Sequence, residues 1–288
     1  MLFMNRFRIS LLSLAVFGLS MFLFVEHQVY SQNTDEERLQ KAIATLEETS
    51  EGKKLIQKVM RVWKLEISQD LVQHLKWGEN SRTDTVLTRQ YDPKTGVEER
   101  KRQMTIFLKQ DQSEIELLLD FAHELVHASA RPAFDPYDSG LTPAKYIWTA
   151  IEGEGGEVDA VVLECQIGFA LSQKMKSSIP RCANYIEGSN IRREIVRQDF
   201  YRVGDWYLNL KARLGKETGL LPLLTGESPK LYSSTGHTPY PVALLSEFEE
   251  ITETACTNSR QRIRNVAFND VSHNNVQLFL QKRCKSIQ

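Results

Sequence analysis

The stretch SEIELLLDFAHELVHAS, residues 113–129, admits one kind of local structure. Ser113 with Glu116 three residues later is a capping box, in which each side chain satisfies a backbone N–H at a helix start. Behind it, Ile115, Leu118, Leu119, Ala122, Leu125 and Val126 recur at three- and four-residue intervals, the spacing that lays apolar side chains along one helical face. A helix is expected from about Glu114 to Ser129, ended by Pro132 and the loop chemistry of FDPYDSG. Within it His123 and His127 stand one turn apart and point the same way.

That geometry carries chemistry. Two imidazoles at i and i+4 can each present a ring nitrogen to one Zn²⁺ at about 2.0–2.1 Å. Glu124 then lies beside the ion, placed to take a proton from an activated water. A catalytic zinc needs one further protein ligand and one open position. The plainer alternative is a histidine pair that packs in the core or faces solvent. His74, alone in an apolar block, reads as an ordinary surface or core histidine.

The chain begins with a basic MLFMNRFR, carrying Arg6 and Arg8, and an apolar run from Ile9 to Val25. This is the pattern of a secretory signal, with Ser31 at a possible cleavage point. The expectation is an exported protein, periplasmic or secreted. The run is just short of a comfortable membrane span, so an uncleaved anchor over residues 9–25 is the alternative. The four cysteines show no C-x-x-C spacing, which argues against a zinc finger. In an exported chain they point to two disulfides, and nearness in sequence favours Cys165–Cys182 and Cys256–Cys284. With 36 basic and 37 acidic residues the formal charge is −1, and nothing suggests nucleic acid as a partner.

Beyond the signal (1–31), residues 32–80 read as a helical segment. Thr34 and Glu37 form a capping box, and apolar spacing extends to SQDLVQHLKW at 68–77. DTVLTRQYD and RKRQMTIFLK, separated by the turn residues DPKTG, read as a β-hairpin that feeds the HELVH helix. Thr142 and Pro143 start a second long apolar-periodic segment. Its EGEGGE insert marks either a close approach of another group or a break between two helices. Residues 81–185 form the expected catalytic core, and residues 186–288 a helical region packed upon it. The fold class expected is α+β, mostly helical, with a small antiparallel sheet beside the HELVH helix.

From Met104 to Cys165 the order of strand, HELVH helix and acid-bearing second helix resembles the zincin metallopeptidases. The resemblance implies one zinc ion per chain, a peptide or protein substrate, and Glu124 as general base. Ala130 and Ala133 stand where a metzincin needs Gly and His or Asp, so that branch is excluded. A glutamate-zincin takes its third ligand from the next helix. Glu157 is favoured, since the glycines before it permit close approach; Glu154, Glu152, Glu164, Asp135 and Asp138 remain open. The sequence departs from the glutamate-zincin pattern at Val161, where an Asp often orients a ligand histidine. Asp120 and Asp159 are the substitutes nearby.

A zinc peptidase also requires a hydrogen-bond donor for its tetrahedral intermediate. His237 and Tyr240, in STGHTPYP, are the candidates, with a turn histidine and a packing tyrosine as the plainer reading; His273 is weaker. The strand at Met104–Leu108 is expected as an edge that aligns an extended peptide. A different class also fits the motif: an envelope protein of this shape that binds a metal or a protein partner without hydrolysing it.

Overall fold

The computed structural model describes residues 35–91, 98–130, 135–233, 237–265 and 270–284. The N-terminal apolar segment, Thr34, the DPKTG turn, Pro132 and the side chain of His273 lie outside the described structure. A helix through 35–47, α1, buries Leu39, Ala42, Ile43 and Leu46 as one stripe. It turns at once into α2 (Ser50–Trp63), where the Thr49 hydroxyl accepts a hydrogen bond from Gly52 N–H at 3.0 Å. A Cβ on Gly52 would stand 2.2 Å from the Leu46 carbonyl oxygen, so the tight corner needs glycine.

The helical spacing over 68–77 does not become an α-helix. Ser68–His74 forms a 3-10 helix, and Leu75–Gly78 becomes strand β1. It pairs in parallel with β3 (Glu98–Lys109), and β2 (Arg82–Tyr91) pairs antiparallel on the other side of β3. Backbone groups at 75–78 are satisfied by β3 while Leu75 is buried, and this tertiary pairing outweighs the local pattern. The order β1-β3-β2 puts Met104–Leu108 in the centre of the sheet, not at its edge. The α+β class is borne out, with a sheet that is mixed because β1 joins in parallel.

Helix α3 (Glu114–Ala130) follows β3 after a short turn, and Ser113 Oγ accepts from Glu116 N–H at 3.3 Å as the capping box predicts. Its apolar face, including Leu118, Leu119, Ala122 and Leu125, is fully buried. Thr142 and Pro143 start α4 (Pro143–Glu152). EGEGGE is the break between α4 and α5 (Glu157–Met175): Gly155 adopts φ +66°, and Gly156 is the N-cap of α5. At the α3–α5 crossing, a Cβ on Gly168 would lie 2.6 Å from Leu119 Cδ2, so glycine lets the two helices close.

The remainder comprises a two-residue hairpin, β4 (Ile186–Glu187) and β5 (Asn190–Ile191), and helices α6 (Arg193–Phe200), α7 (Tyr207–Leu214), α8 (Tyr240–Asn265) and α9 (Asp270–Arg283). The helical pattern of 190–215 is split between α6 and α7, where Val203 N–H bonds to Thr225 O and Gly204 takes φ +55°. One buried apolar cluster runs from Leu39 to Phe248, and a smaller one gathers Ala255, Cys256, Phe279 and Cys284. The disulfides are Cys165–Cys182 and Cys256–Cys284, the pairing that nearness in sequence favours. They fit an oxidising, export-type setting. Among the described residues no helix is long and apolar enough to cross a membrane.

Candidate metal centre

Helix α3 aims His123 and His127 at the first turn of α5, where the glycine break sets Glu157. His123 Nε2 lies 3.3 Å from Glu157 Oε2, and His127 Nε2 lies 3.5 Å from Glu157 Oε1. The three ligand atoms of the group fall within 4.8 Å of one another. Two donors sharing a tetrahedral ion at zinc-like bond lengths stand about 3.3 Å apart, close to the separation of each histidine nitrogen from the Glu157 carboxylate, so the group could hold a metal ion.

Each imidazole is turned toward Glu157 by what its other nitrogen does. His127 Nδ1 donates to the Gly155 carbonyl at 2.8 Å. The N–H of Gly155 donates to Asp159 Oδ2 at 2.9 Å, and Asp159 is paired with Arg193 at 2.6 Å. Asp159 therefore steadies His127 indirectly, through the glycine turn. His123 Nδ1 contacts Glu164 Oε2 at 2.9 Å, and Glu164 Oε1 accepts from Arg181 Nε at 2.7 Å. Asp120 lies one step further out, bonded to Arg181 at 2.6 Å and to the Ser81 hydroxyl. This is the arrangement a metal site uses to fix the tautomer and orientation of its histidines.

The other ligand candidates are engaged elsewhere. Glu152 accepts from Tyr201 OH at 2.8 Å and pairs with Arg197; Glu154 faces Lys58 at 3.4 Å. Asp135 and Asp138 accept from the N–H groups of Tyr137 and Gly140 within their own loop. Glu164, open as a ligand on sequence alone, instead orients His123. Its signal was available: Glu157 and Glu164 are seven apart, two turns along one helix face.

Electrostatics sharpen the group. Burial works to raise Glu157, but the charge of His127 and the hydrogen bonds from both histidines hold its carboxyl well below the usual range. Burial likewise works to lower His123, yet Glu157 and Glu164 hold it well above an ordinary histidine. A histidine pair clasped by carboxylates, His127 buried and His123 partly so, is the charge pattern a divalent cation replaces. No protein-family model, curated protein or solved structure matches this chain.

The group forms the floor of a cleft of about 820 Å³ between β2, α3, α5 and the start of α8. Glu124 faces the cleft beside the histidines, buried, its Oε2 accepting from Thr83 Oγ1 at 2.7 Å. Burial pushes the Glu124 carboxyl up, against the lowering influence of both histidines and Thr83. Thr83, on β2, was not singled out from sequence. Tyr240 opens α8 and also lines the cleft, its ring edge-on to Phe200 at 4.8 Å. The negative charge of Glu157, together with burial, raises the Tyr240 phenol well above its usual value. His237 is exposed, takes φ +74°, and is not among the residues lining the cleft.

Proposed function

We propose that this chain is an exported zinc-dependent hydrolase, most simply a peptidase of the zincin kind. The observation that carries this reading is the convergence of two imidazole nitrogens and one carboxylate on a single point, with Glu124 beside them in an open cleft. His123, His127 and Glu157 would hold the ion, which when bound supplies Lewis acidity to a water and to the scissile carbonyl.

The remaining work belongs to the chain. Glu124 takes a proton from the water as its oxygen bonds to the carbonyl carbon. It passes that proton to the amine nitrogen as the C–N bond breaks. Thr83 holds the Glu124 carboxylate in place for both transfers. The Tyr240 hydroxyl, kept protonated by its surroundings, donates to the oxygen that becomes negative. β2 rather than β3 is the outer strand next to the cleft, and Arg82 and Thr83 line it. An extended peptide would align along β2 by main-chain pairing.

The test is metal content and peptide hydrolysis of the purified protein beside three variants. About one zinc per chain is expected, lost in His127→Ala and Glu157→Ala. Glu124→Gln should keep the zinc and lose turnover. Full hydrolysis by Glu124→Gln would sink the mechanism. Zinc bound with no hydrolysis of any peptide would favour the envelope-protein reading.

A further inference from the structure

The disulfide Cys165–Cys182 joins two residues whose immediate predecessors, Glu164 and Arg181, are themselves partners. Glu164 is buried, and both its oxygens are used: Oε2 on His123 Nδ1 at 2.9 Å, Oε1 on Arg181 Nε at 2.7 Å. Arg181 also reaches Asp120 at 2.6 Å and Glu116 at 3.4 Å, both on α3 before His123. The guanidinium thus ties α5 to the helix that carries the histidines. It sits in the connection after α5, which the disulfide fastens back to that helix at Cys165.

We propose that Arg181, held in register by the Cys165–Cys182 disulfide, is a positioning residue of the metal centre, so that this bond sets the affinity for metal. The inference rests on the zinc-site reading above. Glu124, Glu157 and Glu164 are three buried carboxylates around one pair of histidines. A divalent cation would compensate part of that charge, and Arg181, which Glu164 shares with Asp120 and Glu116, a further part. Without the disulfide, the connection carrying Arg181 is tied by one link fewer, Glu164 loses its fixed cation, and the His123 ring loses its fixed acceptor. The two thiols become the disulfide by exchange with an external disulfide, which leaves as two thiols. Metal affinity would then rise only after the chain has met an oxidising compartment.

The experiment measures Zn²⁺ affinity by competition with a chromophoric chelator, and the visible absorption of the Co²⁺-loaded protein. It compares the full chain with Arg181→Met, Arg181→Lys, Cys165→Ala/Cys182→Ala and, as control, Cys256→Ala/Cys284→Ala. Expected are a roughly ten- to hundredfold loss of affinity and an altered Co²⁺ spectrum for Arg181→Met and the first cysteine pair. Arg181→Lys should recover part of the loss, and the control pair should match the parent. Should Cys165→Ala/Cys182→Ala fail to fold, Arg181→Met, which keeps both disulfides, decides alone. Parent-like affinity and spectrum in Arg181→Met would overturn the inference while leaving the zinc site intact, as would an equal loss in the control pair. A parent chain that binds neither ion would overturn the zinc-site reading and this inference together.

Discussion

Glu157 and Glu164 meet the same histidine from opposite sides: Glu157 at His123 Nε2, 3.3 Å away, and Glu164 at Nδ1, 2.9 Å away. Two turns of α5 separate them, so one helix supplies both the candidate ligand and the group that aims its neighbour. The pairing separates two roles that a sequence reading leaves interchangeable. Metal should be lost when Glu157 is removed and only weakened when Glu164 is changed. Glu164→Gln keeps an acceptor for His123 but not the charge, and a loss of metal affinity of roughly tenfold is expected. Chelator competition on the two variants checks the contrast; equal losses would mean that the roles are misassigned.

Tyr240→Phe keeps the ring against Phe200 and deletes only the hydroxyl that faces Glu157. Metal content should match the parent, and kcat should fall about 10²–10³-fold, the usual cost of removing one oxyanion donor. Steady-state kinetics beside metal analysis reads this directly. An unchanged kcat would return Tyr240 to a packing role.

Thr83→Val is close to isosteric and removes the donor 2.7 Å from Glu124 Oε2. A hydrogen bond to a charged group contributes about 1.5–3 kcal/mol, so turnover should drop roughly ten- to hundredfold. Zinc binding should be untouched, because Thr83 does not contact the ligand group. Loss of metal in this variant would show that Glu124 has a structural role instead.

Asp159→Ala removes the acceptor that pins Gly155 N–H, and with it the turn whose carbonyl orients His127. Metal affinity is expected to fall by about tenfold with little change in the Co²⁺ ligand set, since no ligand is lost. His127→Ala, by contrast, should abolish binding. Isothermal titration distinguishes the two.

Gly168→Val tests the crossing of α3 and α5 without replacing any residue of the site. The added carbon would fall 2.6 Å from Leu119 Cδ2, inside a fully buried contact. Overpacking of this kind costs about 1–3 kcal/mol, and for a chain of this length roughly 2–4 °C of Tm per kcal/mol. A thermal unfolding scan that shows no shift would mean the two helices can part freely.

The residues of α3 determined the helix, its start at the capping box and the shared direction of His123 and His127, because each depends on partners within a turn or two of chain. The glycines before Glu157 pointed to it for the same reason: backbone freedom is a local property. Tertiary structure decided the rest. Residues 68–77 carry a helical spacing, yet β3 offers their last three residues a hydrogen-bonded partner, and they become a 3-10 helix and the start of a strand. Position 161, where the glutamate-zincin pattern has an acid, is Val, and Asp120 and Asp159 were the expected substitutes; the carboxylate that meets His123 Nδ1 is Glu164, one turn beyond Val161. Thr83 and Glu124 are 41 positions apart, as are His123 and Glu164, and Arg181 and Asp120 are 61 apart. Which ring nitrogen meets which carboxylate depends on where α3 crosses α5, and that crossing is set by packing at Gly168 and Leu119 rather than by any local rule.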